Sequence, residues 1–369
     1  MTTTVKAADA AQFLALVPRI LGYTPTRSIV VIPMGRGRSL GAMRIDLPPE
    51  GQPLDAFAAT VIGMVCRISE ADSLVVVAYT EAEAEASLPH GDLAAAIGRT
   101  SDASGLRLVD VLVVAPQGWG SHLRASEGVR PISDLLTALP AGLPEAHGDQ
   151  ATGAQLPAVD AAERRRTGAA HRSLRSALAV LCGVPWGRDP APRVDPAALE
   201  AACELDDLPR LFERSLGWEV DDLAPMRIAL LGWCLARPAL RDVALVQWAS
   251  DVAGGEDAME AQRRWEDGEE YPADLAAVMW GEGARPDPQR LECALRLVRQ
   301  VAARTAKSRR AGSLAVCAWL SWALGRSTHA EHYAREALAL DSGHGLAEIV
   351  RSFVLAAHLP DWAFDRSTA

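Results

Sequence analysis

Arg44 and Asp46 are the first residues in the chain whose types and spacing suggest chemistry. They stand two apart in LGAMRIDLP, where Met43, Ile45 and Leu47 alternate with Ala42, Arg44 and Asp46. Period-two alternation sends one set to a packed face and the other to a polar face of a β-strand. Two roles fit the pair. Arg44 could hold an anion while Asp46 accepts hydrogen bonds from a ligand, or the two could form an ion pair that serves packing and register. Tyr23, Thr24, Thr26 and Ser28 lie upstream, in a turn that leads into an apolar run. Such turns carry ligand contacts, and their hydroxyls also bond local backbone. Trp119, Ser121 and His122 follow the fourth apolar strand, at the C-terminal end where α/β sheets favour ligands. Ser121 and His122 are chain neighbours and do not make a dyad, and a mobile loop carrying them is the structural alternative. The candidate ligand-binding residues are therefore Tyr23, Ser28, Arg44, Asp46, Trp119 and His122.

Other motifs add no chemistry. Gly35, Gly37 and Gly41 are spaced GxGxxxG, but a strand follows them rather than a helix, so no helix N-terminus would meet a phosphate. Neither a P-loop nor a GxSxG pattern is found. His329, His332 and Glu336 share one face of a helix, a pattern that a solvated face explains as well as a metal does. No catalytic residue is nominated, and neither a metal nor a cofactor is expected.

Two domains must position these residues. Phe13, Leu14, Val17 and Ile20 have helical spacing, and Gly22 stops that helix. SIVVIPM reads as a strand buried on both faces, ending or lying at an edge near Pro33. It forms an antiparallel hairpin with the Arg44 strand. A helix opened by Pro53, the strand SLVVVAYT, a helix from Gly91 to Thr100 and the strand LRLVDVLVVA complete a mixed sheet with crossover connections. Residues 116–156, rich in Gly and Pro, read as a functional loop or a partly disordered one. No strand is evident past Val159, and a proline-rich break spans 183–196. The fold class is thus α/β plus all-α: an α/β mixed-sheet domain over 1–156, then an all-helical domain over 157–369.

The chain has 369 residues, of which 49% are hydrophobic and 23% charged, the balance of a globular protein. No apolar run is long enough to span a bilayer, and MTTTVKAADAAQF lacks the layout of a signal peptide, so no membrane and a cytoplasmic location are expected. Six scattered cysteines without a CxxC pair read as reduced thiols. A net charge of −10 argues against a nucleic-acid partner. Basic residues from Arg296 to Arg310 follow an acidic stretch from Glu256 to Glu270, and the two either neutralise each other or offer an acidic partner a docking strip.

Near the C-terminus, Leu324-Gly325, Ala334, Ala337-Leu338 and Leu346-Ala347 place small residues where antiparallel helices would touch. That is a tetratricopeptide-like unit over 312–357, or an ordinary helical hairpin that closes a bundle. LGYTPTRSIVVI, MRIDLP, Gly118-Trp119 and AWLSWALGR…AREALALDSGHGLA together resemble an actinobacterial family known as domain of unknown function family 4192. The resemblance covers nearly the whole chain and departs in the middle, where GWGSHLR carries one Trp and no following cysteine. It implies the architecture and no particular activity. The expectation is a non-enzymatic binding or scaffold protein that docks another protein through its helical domain and uses a polar sheet face on the α/β domain. The alternative is an enzyme with a site between Arg44, Asp46 and the loop around Trp119. Oligomeric state is not encoded in any pattern.

Overall fold

A computed structural model describes residues 7–84, 87–137, 145–183 and 193–364. The chain divides into two compact units, Met1–Thr152 and Gly153–Ala369.

The first unit runs α1 (Ala10–Leu21), β1 (Ser28–Gly35), β2 (Arg38–Ser39), β3 (Met43–Asp46), α2 (Leu54–Cys66), β4 (Ser73–Tyr79), α3 (Gly91–Ala103), β5 (Arg107–Val114), β6 (Gly118–Ser121), β7 (Arg130–Pro131) and α4 (Ser133–Thr137). The sheet order is β2-β1-β4-β5-β6-β7, with β3 also on β1. Only β4 and β5 are parallel, joined by the α3 crossover, and the other pairs are antiparallel. α1 starts at Asp9, whose carboxylate accepts from the Gln12 N–H, and ends at Gly22 in a left-handed conformation that glycine adopts without a Cβ clash. Alternation along the strands then separates two cores. Ile29, Val31, Val76 and Val113 pack against α2 and α3, while Val30, Ile32, Val77, Leu112 and Trp119 pack against α1.

Two expectations are corrected here. β1 neither stops at Pro33 nor lies at an edge: it continues to Gly35 with neighbours on both sides. Pro33 is tolerated because β3 pairs with Ser28–Val31 and β2 with Met34 and Gly35. The Pro33 carbonyl accepts from Leu40 on that side, so its missing N–H falls in the gap between the two ladders. Residues 116–156 are also more than a loop, because β6 and β7 extend the sheet within them; residues 138–144 lie outside the described part. GWGS has no β-branched residue to announce a strand. Its glycines answer to close approach, since a Cβ on Gly118 would overlap the Arg130 carbonyl.

The second unit is helical: α5 (Ala161–Leu181), α6 (Pro196–Cys203), α7 (Leu208–Leu216), α8 (Pro225–Leu235), α9 (Pro238–Ala249), α10 (Val252–Glu266), α11 (Ala273–Trp280), α12 (Pro288–Arg304), α13 (Ala311–Ala323), α14 (Ser327–Leu338) and α15 (Gly345–Leu355). Of the proline-rich break, 184–192 lie outside the described residues. Asp160, Asp195, Asp207, Asp251 and Asp287 each cap a helix by accepting a first-turn N–H. α13 is buried on every side from Gly312 to Ala323 and is flanked by α12, α14 and α15. Trp319 and Trp322 are fully buried, and their indole N–H groups donate to the carbonyls of Met279 (3.1 Å) and His358 (2.8 Å). Phe353, His358 and Trp362 surround Trp322. Among the described residues no helix is long and apolar enough to cross a membrane.

One polar cluster interrupts this core. A Cβ on Gly232 would lie 3.4 Å from His171 Cε1 and 3.6 Å from Thr305 Oγ1. Thr167, His171 and Thr305 are buried, and their Oγ1, Nε2 and Oγ1 atoms have no hydrogen-bond partner among the described residues. Burial, reinforced by Arg309, pushes His171 down to about 4.

Two measurements check this core. Trp322→Ala is expected to lower urea stability by about 3–5 kcal/mol, the cost of emptying a buried aromatic site. For His171, the depressed folded value means that stability is fully present above the ordinary value near 6.5 and is lost as pH falls toward 4. The unfolded chain takes up a proton there that the folded one refuses, which gives a slope of at most about 1.4 kcal/mol per pH unit. Urea midpoints of His171→Gln across that window are expected to be flatter than wild type, and equal slopes would show that His171 does not titrate in this way.

Candidate functional site

The Arg44 side of β3 is a closed network. Arg44 pairs across the sheet with Val30 and so faces the α1 side. Its Nε donates to Ser28 Oγ at 2.8 Å, and its guanidinium is ion-paired with Asp46. The Arg44 side chain is only 8% exposed while Asp46 is 78% exposed, so the pair is a buried cation neutralised from solvent. Ser28 Oγ donates to the Thr26 carbonyl at 2.6 Å, and Thr26 exchanges hydrogen bonds with Gln150. Tyr23 stands close enough for Arg44 to stabilise its phenolate, yet burial dominates and holds its pKa above the ordinary value. Tyr23, Ser28, Arg44 and Asp46 are therefore brought together. Met43, Ile45 and Leu47 pack on the opposite face, against α2 and α3.

Register then draws a line across the sheet. Asp46 pairs with Ser28, Ser28 with Tyr79, Tyr79 with Val114, Val114 with Trp119, and Trp119 with Arg130. Laterally paired residues point to the same face, so these six form one row at the C-terminal ends of β4 and β5. Trp119 is not in a mobile loop. It lies in β6, is 1% exposed, and has the Arg130 guanidinium 4.6 Å above its ring. At about 4.8 Å per strand, Asp46 and Trp119 are roughly 19 Å apart along the row. The sheet thus aligns Arg44, Asp46 and Trp119 without bringing them into contact.

The middle of the row carries an unanswered polarity. Tyr79 Oη and Trp119 Nε1 are buried and have no hydrogen-bond partner among the described residues. Burial pushes the Tyr79 phenol far above its ordinary value, so it stays protonated and is a donor. Each unmet buried donor costs about 1–3 kcal/mol. Nearby on the same face, the buried Asp110 accepts from Ser121 Oγ (2.5 Å) and from Arg124 (2.5 Å), which closes the turn after β6.

His122 is separate from this row. Its Nε2 contacts the Pro89 carbonyl at 2.9 Å, and with His90 it borders an apolar pocket under α3 on the other face of the sheet. His90 Nε2 meets Thr80 Oγ1 at 2.8 Å, and burial, then the proximity of His122, lowers its pKa. Sequence reasoning missed Tyr79, Asp110, Arg124 and Arg130. The one local signal was Tyr79 as the final aromatic of an otherwise aliphatic strand. Among the described residues, no group of three or more His, Cys, Asp or Glu is arranged to hold a metal ion.

A sheet with this row at the carboxyl ends of its parallel pair, followed by a helical unit, defines a two-unit α/β-plus-helical protein. The chain belongs to the family described as Domain of unknown function (DUF4192), which it matches over residues 11–361. No curated protein and no solved structure matches it.

The network makes asymmetric demands on its members. Arg44→Met removes the charged donor of buried Ser28 and is expected to cost about 1–3 kcal/mol in urea unfolding. Asp46→Asn alters a largely solvated carboxylate and is expected to cost less than about 1 kcal/mol. Equal losses would show that the ion pair, rather than the Arg44–Ser28 bond, holds β3 in place.

Proposed function

We propose that the protein is a non-enzymatic binding protein. Its α/β unit takes a small ligand carrying carbonyl or carboxylate oxygens against the Ser28–Tyr79–Trp119 row, and its helical unit docks another protein. The observation that carries the first half is the pair of buried donors, Tyr79 Oη and Trp119 Nε1, with no acceptor among the described residues. The surrounding Leu14, Val17, Val77 and Leu112 suit an apolar body.

For the second half, support comes from the packing of α13, α14 and α15 as successive neighbours, which we read as a tetratricopeptide-like unit. Ala330, Ala334 and Ala337 are fully buried on α14, as small residues between antiparallel helices should be. Six free cysteines, three of them exposed, fit a reducing, cytoplasmic setting.

Tyr79→Phe tests the ligand half. The protein would be purified from the cells that naturally make it and studied by native mass spectrometry. Wild type is expected to carry a bound small molecule that Tyr79→Phe loses. Ligand-free Tyr79→Phe is expected to melt no lower than ligand-free wild type, because it sheds an unmet hydroxyl. Wild type without a bound molecule, or a Tyr79→Phe that keeps one, would sink this reading.

A further inference from the structure

One helix of the second unit carries a run of exposed cations along a single side. On α5, Arg164, Arg165, Arg172 and Arg175 are all exposed. At 100° per residue they fall within about 100° of arc along roughly 16 Å of helix. The one residue between them within that arc is Gly168. Elsewhere around the helix, α5 buries Thr167, Ala170, Leu174 and Ala177.

The corner between α12 and α13 adds positive charge beside this stripe. Arg304, the last residue of α12, bonds Glu163 in the first turn of α5, and His171 of α5 and Thr305 meet at Gly232. The corner that follows carries Lys307 and Arg309 exposed and Arg310 half-buried. Arg310 is pinned by hydrogen bonds to the carbonyls of Ala303 (3.3 Å) and Thr305 (3.0 Å). Arg309 stands near enough to His171 to add to the lowering that burial causes, and Arg310 feels both Arg164, which lowers it, and Glu336, which raises it.

Of the nearby carboxylates, Glu163 pairs with Arg304, Asp160 caps α5 and also lies within electrostatic reach of Arg165 and Arg166, and the exposed Glu336 lies near Arg310. None of Arg164, Arg165, Arg172 and Arg175 forms an ion pair with a described residue. The acidic stretch pairs locally, Glu260 with Arg263 and Glu269 with Arg264.

We propose that the α5 stripe and the α12–α13 corner bind the phosphate backbone of duplex nucleic acid. The net charge of −10 pointed away from such a partner, but it averages over the whole chain. Charges farther than about 8–10 Å are screened at physiological salt, so the local patch sets the interaction. The stripe has no large apolar side chain between its arginines, and a protein interface needs such anchors at its core. A membrane-surface helix needs an apolar face to insert, whereas the apolar face of α5 is buried in its own unit. A purely cationic rigid strip gains affinity from counterion release, which requires the charge density of a duplex, about one charge per 1.7 Å. This surface is separate from the sheet row, and its test is independent of that reading.

The test is fluorescence anisotropy of a labelled mixed-sequence 20-base-pair DNA with the full chain, titrated at several salt concentrations. Wild type is expected to bind at 50 mM salt with an affinity steeply dependent on salt. Arg165→Gln/Arg172→Gln is expected to bind at least tenfold more weakly. Its log–log salt slope should be flatter by about 2, since each lost phosphate contact removes roughly 0.9. Arg210→Gln/Arg351→Gln makes the same charge change outside the stripe and is expected to leave both quantities near wild type. Circular dichroism melts confirm that each variant is folded. Three results would overturn the proposal: no binding at 50 mM salt, equal losses in the two double variants, or stripe-dependent binding to phosphatidylserine vesicles without binding to DNA.

Discussion

The pairing of β1 with β4 is the constraint on which the first unit rests. Seven consecutive residue pairs run from Ser28 opposite Tyr79 to Met34 opposite Ser73. Both strands are buried on both faces, so the ladder is fixed by two hydrophobic cores at once. A slip of one residue would exchange those cores and turn Ser28 and Tyr79 to opposite sides. The same ladder carries the Arg44 network on one edge and the β5–β6–β7 extension on the other. Position along β1 therefore decides which polar groups can meet.

Indole chemistry shows why the middle of the row stands out. Trp248, Trp319, Trp322 and Trp362 are all buried, and each donates its N–H to a backbone carbonyl. Every deeply buried indole among the described residues of the helical unit thus finds a backbone acceptor. Trp119 is as deeply buried as these four, but it stands in a sheet whose neighbouring carbonyls are committed to ladders. Its N–H has no acceptor among the described residues.

Much of this architecture was legible in the residues. SIVVIPM and SLVVVAYT are β-branched and bounded by turns, and the alternation around Arg44 shows which side chains face the core. The tryptophans of AWLSWALGR fall at helical spacing and are buried. What escaped notice was non-local. GWGS forms a strand because β7 returns beside it, and no property of those four residues announces that. The Asp46-to-Arg130 row exists only once register is known, since its six members come from six different strands. The basic run from Arg296 to Arg310 was visible, yet most of its arginines are tied to carbonyls or to Glu163. The exposed stripe is supplied by α5, more than a hundred residues earlier.

The placement of β1 also bears on how the chain is made. β1 precedes the other described strands in the chain, yet it lies in the interior of the sheet. One edge can close early, because β2 and β3 follow at once and fold back on it. The other edge must wait for β4, and in the interval Ile29, Val31 and Ile32 belong to an open, apolar strand edge in the nascent chain. Such edges recruit other chains. By contrast, α13, α14 and α15 each pack on the helix synthesised just before, so the C-terminal end passes through no comparable interval. The period of greatest vulnerability to misassembly therefore falls early in synthesis, between the emergence of β1 and the arrival of Tyr79.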